Sequence, residues 1–207
     1  MARGRLQSLA LVLATLCAAG LGAPPAAAEG DNLVLSRPLI FVDADGAIVR
    51  STGFPGKWLL VYFGYTHCAD LCPTGLSVLV TALDQIGPAA AHIQPLFVTV
   101  DPERDKGPLL RSFTQSFDKR LIGLGGSVEE VQQAASALGV TFRKAGQQGA
   151  AGYVVDHSSS YTLVDPARTR AIVLKVAEPH LLAAALIGAL TKAGVALGNV
   201  NNAGAYR

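Results

Sequence analysis

Apolar positions in this chain follow two rhythms. Residues 58–63, Trp58-Leu59-Leu60-Val61-Tyr62-Phe63, form an unbroken apolar and aromatic run, as a strand buried on both faces does. Residues 73–86 then place Leu76, Leu79, Val80, Leu83 and Ile86 at helical spacing, and Gly87-Pro88 stops the pattern. A second buried strand, residues 96–100, ends at Asp101-Pro102. Upstream, residues 39–42 and 47–49 flank Asp43-Ala44-Asp45-Gly46, whose Asp-Gly pair marks a hairpin. Residues 107–117 and 127–138 predict helices, with a short strand over 121–124 between them. The second of these helices opens with Ser127 and Glu130 at capping-box spacing. The Gly-, Gln- and Ala-rich residues 144–152 predict a flexible loop. A hairpin-like pair, 153–155 with 161–164, follows around His157-Ser158-Ser159-Ser160, then a strand over 171–176 and a helix over 181–197. The order predicts an α/β domain with a mixed central sheet flanked by helices.

Both ends of the chain are apolar, and this changes how the composition is read. The first 28 residues hold Arg3 and Arg5, an uncharged stretch around residues 9–14, and Ala26-Ala27-Ala28 before Glu29. A basic start, a short apolar middle and small residues at the end are the parts of a secretory signal peptide. An uncleaved anchor is the competing reading, but a spanning helix needs about 20 predominantly apolar residues, and this stretch is broken at Gly20. A lipid anchor through Cys17 fits less well, because Leu16 is larger than the residue such sites carry. The final helix is interrupted by Lys192 and is too short to span. The expected organisation is therefore a signal peptide or anchor over 1–28, a linker over 29–38, one domain over 39–197 and a flexible tail over 198–207. The destination is outside the cytoplasm, in the periplasm or anchored to the inner membrane facing it.

Removing residues 1–28 leaves 15 basic against 15 acidic residues. A neutral domain has no electrostatic footprint for nucleic acid. Cysteine usage is more telling. Of three cysteines, two lie in Phe63-Gly64-Tyr65-Thr66-His67-Cys68-Ala69-Asp70-Leu71-Cys72-Pro73, at the strand-to-helix junction. Pro73 suits a first helical position and holds the preceding residue extended, which predicts Cys72 at the N-cap and Cys68 in the loop before it. Unpaired N–H groups and the helix dipole favour thiolates there. In an oxidising compartment such a pair forms a disulfide, binds metal or cycles between these states. Three intervening residues leave room for an ion, and thiolates select soft ions such as Cu(I). Two cysteines are too few for a structural zinc site or an iron–sulfur cluster, whereas Cu(I) is satisfied by three ligands. His67 is expected to diverge from Cys68, His92 to lie in a surface loop and His180 to begin the last helix. His157 is open to two readings, a third ligand or a hydrogen-bonded turn residue. Asp70, Asp101 and Asp156 are candidates for orienting the ligands from behind.

The run from Tyr62 to Pro73 closely resembles the copper-site motif of the Sco/SenC family of cytochrome c oxidase assembly proteins. Val98-Thr99-Val100-Asp101-Pro102-Glu103-Arg104-Asp105, Val155-Asp156-His157-Ser158 and Tyr161-Thr162-Leu163-Val164-Asp165-Pro166 resemble that family's other signatures, in order. The resemblance covers residues 35–194. It implies a thioredoxin-like fold with an added N-terminal hairpin and an inserted hairpin carrying His157. It also implies copper held by Cys68, Cys72 and His157, as Cu(I) or Cu(II), and delivered to the copper-accepting subunit of a terminal oxidase. An upstream copper donor or a thiol reductant would be a further partner. Ala69 departs from the family, which usually has proline there. The alternative on the same fold is a thiol–disulfide oxidoreductase in which Cys68 and Cys72 are catalytic and keep the acceptor's cysteines reduced. A peroxidase is disfavoured, because its activating arginine would have to be Arg104.

Overall fold

The computed structural model describes residues 31–69, 71–146 and 153–197. The expected signal peptide, the tail, Asp70 and residues 147–152 lie outside these. Strand β4 (Trp58–Gly64) is buried at every position. It pairs parallel with β5 (Ile93–Thr99) and antiparallel with β9 (Tyr161–Val164). These belong to an eight-stranded sheet ordered β1 (Asp31–Val34), β10 (Arg170–Leu174), β9, β4, β5, β6 (Ile122–Gly125), β2 (Ile40–Asp43) and β3 (Ile48–Arg50). β6 runs parallel to β5 and the outer pairs are antiparallel, so the sheet is mixed.

Alternation along β4 explains why its sequence is apolar without a break. Trp58, Leu60 and Tyr62 pack into one cluster with Leu76, Leu79 and Leu83 of α1 (Leu71–Gln85) and Leu182 and Leu186 of α4 (Pro179–Lys192). Leu110 of α2 (Gly107–Phe117) joins the same side. Leu59, Val61 and Phe63 point the other way, toward Val131, Ala134 and Ala135 of α3 (Val128–Ala137) and toward Phe41. Successive strand side chains face opposite sides, and here both sides are covered. The arrangement is the thioredoxin-like fold that the resemblance implied.

Caps set the helix ends. Ser127 accepts from the Glu130 N–H at 3.1 Å and Glu130 accepts from the Ser127 N–H at 2.8 Å, completing the expected capping box. α4 ends at Lys192, earlier than the apolar pattern suggests. Gly194 takes a φ of 73°, its N–H bonds to the Thr191 carbonyl, and the Val195 N–H bonds to that of Leu190. That is a Schellman stop.

Three other expectations need correction. The segment read as a linker contains β1, paired with β10 through Asp31↔Val173 to Val34↔Arg170; Leu35 is buried beyond it. Its alternation was too short to signal a strand. Residues 153–155 do not pair with 161–164. β8 (Val154–His157) pairs instead with β7 (Phe142–Ala145), which absorbs the start of the expected loop, while β9 enters the main sheet. The inserted hairpin carrying His157 thus exists, but its other strand lies upstream.

One polar tie braces the end of the sheet where β4 begins. Arg168 is buried, with a φ of 60°. Its guanidinium donates to the carbonyls of Ser51, Lys57 and Phe54 at 2.8 Å each and to that of Asp165 at 2.6 Å.

Candidate metal centre

The site forms where β4 runs into α1. Gly64 ends the strand, and Tyr65, Thr66 and Cys68 carry the chain to Leu71, the first residue of the helix. Cys72 is therefore the second residue of the first turn, two positions past the N-cap at which it was expected. Its sulfur turns back toward the sheet. A Cβ on Gly64 would sit 3.0 Å from Cys72 Sγ and 2.8 Å from Phe97 Cε2. Glycine is required here by close approach, since its φ is not in the left-handed region. Across the first turn Tyr62 donates to the Leu71 carbonyl at 3.3 Å, and Tyr161 to that of Gly75 at 2.8 Å.

Cys68 Sγ, Cys72 Sγ and one ring nitrogen of His157 all lie within 4.8 Å of one another. Among the described residues this is the one cluster of histidine, cysteine and carboxylate groups able to hold an ion. Cys72 Sγ is 3.2 Å from His157 Nε2, and the Cys72 N–H donates to Cys68 Sγ at 3.4 Å. His157 Nδ1 lies 3.2 Å from the Ser158 carbonyl. A carbonyl only accepts, so Nδ1 carries the proton and Nε2 presents its lone pair to the sulfurs. Burial holds the imidazole below its ordinary pKa and hence neutral. Tyr65 meets the His157 ring edge-on, with centroids 6.1 Å apart.

Electrostatics depart from the sequence reading at Cys72. Burial, then the hydrogen bond with Cys68, pushes its thiol well above the usual cysteine range, overriding the helix N-terminus. The helix dipole acts only weakly on a sulfur turned into the core.

The remaining candidates fall into place around this cluster. His67 is half-exposed, its Nδ1 facing Thr66 Oγ1 at 3.0 Å and Asp105 Oδ1 at 3.5 Å. It lies outside the cluster, as do His92, at the end of a short 3₁₀ turn, and His180, in the first turn of α4. Asp101 is fully buried and accepts from Tyr153 Oη at 2.6 Å and from Arg104. Asp156 faces solvent and pairs with Arg143 at 3.0 Å; the Ser158 carbonyl orients His157 in its stead. Arg104 is turned toward Asp101 and the Tyr153 carbonyl.

The residue that sequence reasoning missed is Asp105. Its buried carboxylate accepts from the Thr66 N–H at 2.8 Å, Thr66 Oγ1 at 2.5 Å and Thr99 Oγ1 at 2.7 Å. It thereby ties the cysteine loop to the end of β5. The Asp was visible in the second signature, but no local pattern announced its partner 39 positions upstream.

Comparison with known proteins agrees with this geometry. The sequence pattern of the SCO1/SenC family matches residues 28–191. The mitochondrial SCO2 homolog of Homo sapiens is 41% identical over 127 residues, 60% of this chain and 48% of that protein. The chain thus spans about half the length of the curated relatives it matches. Arabidopsis thaliana ScoI, solved with copper bound, is 31% identical with a TM-score of 0.68, covering 80% of this chain and 99% of that one. Yeast Sco1 with copper bound is 26% identical with a TM-score of 0.67, covering 84% and 96% respectively. This chain belongs to the SCO1/SenC family.

Proposed function

We propose that this chain is a copper-binding assembly factor that takes up Cu(I) on Cys68 Sγ, Cys72 Sγ and His157 Nε2 and passes it to the dinuclear copper site of cytochrome c oxidase. The observation that carries the reading is the convergence of two sulfurs and one neutral imidazole nitrogen within 4.8 Å. Such a donor set is soft and of low count, which suits Cu(I) better than zinc or a hard cation. Uptake displaces the two thiol protons, and the resulting thiolates more than offset the single positive charge of Cu(I) in a partly buried setting. Release proceeds by ligand exchange, with cysteines of the acceptor replacing these donors one at a time. Relatives solved with copper bound support the same assignment. Export to the periplasm, with or without a membrane tether at the N-terminus, suits such a task, as do an upstream copper donor and a thiol reductant.

X-ray absorption on the reduced protein loaded with Cu(I) tests the ligand set. Two sulfurs and one nitrogen are expected, with His157→Ala weakening binding about ten-fold or more and Cys68→Ser or Cys72→Ser nearly abolishing it. Parent-like affinity after loss of Cys72 overturns the proposal. A second reading rests on the closeness of the two sulfurs: a thiol–disulfide oxidoreductase using Cys68 and Cys72. Disulfide exchange with a thiol acceptor that persists unchanged in His157→Ala, without copper binding by the parent, would favour it.

A further inference from the structure

The ligands of the centre come from two separate pieces of chain. Cys68 and Cys72 stand on the junction of β4 and α1, inside the main body. His157 stands at the end of β8, in a two-stranded sheet of its own. On β8 the residues of one parity share a face. Val154 and Asp156 are exposed, whereas Val155 is buried and Tyr153 and His157 are half-buried. Tyr153, the residue just before β8, and His157, its last residue, therefore lie at opposite ends of one inward face, with Val155 between them in the core.

Tyr153 is seized by the connection between β5 and α2. Its hydroxyl donates to the buried Asp101 carboxylate at 2.6 Å. The Arg104 guanidinium lies over its ring, 3.9 Å from the centroid, and donates to its carbonyl at 3.0 Å. On the ring, Lys144 of β7 contributes a second cation at 4.7 Å and also bonds Glu103 at 2.5 Å. Arg104 keeps Nη2 buried with no hydrogen-bond partner among the described residues, a costly placement that a purely solvent-exposed role would not need. The same connection grips the cysteine loop through Asp105 and Thr66, and the Val100 N–H bonds the Gly64 carbonyl at 2.8 Å. One short segment, residues 100–105, thus holds both halves of the centre.

We infer that Tyr153 is a positioning residue for copper binding: clasped by Asp101 and Arg104, it fixes the register of the hairpin so that His157 Nε2 meets the two sulfurs. The inference rests on the ligand set proposed above. A one-residue slip of β8 would turn His157 outward, and the clasp opposes that slip at the far end of the strand. Tyr153 itself touches no ion.

The test pairs two readouts on the purified full chain. Cu(I) affinity is measured by competition with a chromophoric Cu(I) chelator for the parent, Tyr153→Ala, Tyr153→Phe, His157→Ala and the Tyr153→Ala/His157→Ala double variant. Tyr153→Ala is expected to weaken affinity about ten-fold, and Tyr153→Phe less, because it keeps the ring under Arg104. In the His157→Ala background, Tyr153→Ala should change affinity by less than about two-fold, since no imidazole remains to be positioned. Equal losses in both backgrounds, or none in the parent, overturn the inference. Hydrogen exchange of the copper-free protein supplies the second reading. Amides of β7 and β8 should exchange faster in Tyr153→Ala while those of β4 and β5 stay unchanged; unaltered exchange in the hairpin refutes the clasp. If Tyr153→Ala does not fold, Tyr153→Phe decides by the same readings. Should His157→Ala bind Cu(I) like the parent, the ligand assignment fails, and hydrogen exchange alone then judges the clasp.

Discussion

Replacing Gly64 with alanine adds one methyl group at a crowded point beside the Cys72 sulfur. The new Cβ would lie 2.8 Å from Phe97 Cε2 and 3.0 Å from Cys72 Sγ, both inside van der Waals contact. Two effects oppose each other. Because the backbone here is not left-handed, alanine restricts the unfolded chain and stabilises by about 0.4–1 kcal/mol. Overpacking a fully buried position costs about 1–3 kcal/mol, and neither neighbour yields easily. Phe97 is fully buried in the central sheet, and Cys72 is held by its helix. The net expectation is a loss of about 1–2 kcal/mol, seen as a fall of about 2–8 °C in Tm for a domain of this size. Relief of the clash also moves Sγ by a few tenths of an ångström, beyond the roughly 0.2 Å tolerance of metal–ligand distances. Cu(I) affinity should therefore fall about ten-fold, equivalent to about 1.4 kcal/mol. Urea titration gives the stability, with the midpoint shifting and the slope unchanged; chelator competition gives the affinity. An alanine variant as stable as the parent, with unaltered Cu(I) affinity, would refute the claim that glycine is there to admit the sulfur.

Three further expectations follow from other parts of the molecule. Burial raises the thiol of Cys72 and the phenols of Tyr62 and Tyr161 above their ordinary values of 9.0 and 10.0. Groups raised in the folded state contribute stability that is complete below those ordinary values and is lost as pH climbs past them. The copper-free protein should thus keep this stability up to about pH 9 and lose it as pH rises further, less steeply in Cys72→Ala; a flat or rising profile above that pH contradicts the burial. Asp105→Ala leaves the Thr66 N–H and two hydroxyls without their acceptor, which should cost about 2 kcal/mol or more in urea titration and weaken Cu(I) binding. Parent-like affinity would show that the cysteine loop does not depend on this carboxylate. Arg168→Met orphans four carbonyl contacts and should cost about 2–4 kcal/mol while leaving Cu(I) affinity within about two-fold of the parent; a large affinity loss would show the two ends to be coupled.

The elements written into contiguous sequence were legible. The run 58–63, the spacing of Leu76, Leu79 and Leu83, and the Ser127–Glu130 pair each declare their structure locally, because the relevant contacts repeat with the chain's own period. So did the cysteine loop, whose ligand spacing and proline are adjacent in sequence. Pairing between distant segments was not legible. β1 is a four-residue edge strand whose partner lies about 140 positions downstream, and its register depends on a turn that Arg168 shapes. β8 could be identified as extended from its residues, but whether it joined β7 or β9 was decided by β9 slotting between β4 and β10. Thiol acidity at Cys72 was misjudged for a related reason. The helix N-terminus is visible in Pro73, whereas the direction in which the sulfur turns is set by the space left at Gly64.

Under the proposed copper-transfer function, the Arg168 tie has a consequence for release. β4 spans seven residues, about 20 Å at the usual rise of a strand, with the tie at its beginning and the sulfurs just beyond its end. In the proposed transfer, ligand exchange would displace the donors at one pole. At the other pole a guanidinium lashes three loop carbonyls and a turn into a fixed frame of reference. On the proposed function, each transfer would work against an anchor that takes no part in it, and the strand alignment would be held from the end remote from the sulfurs.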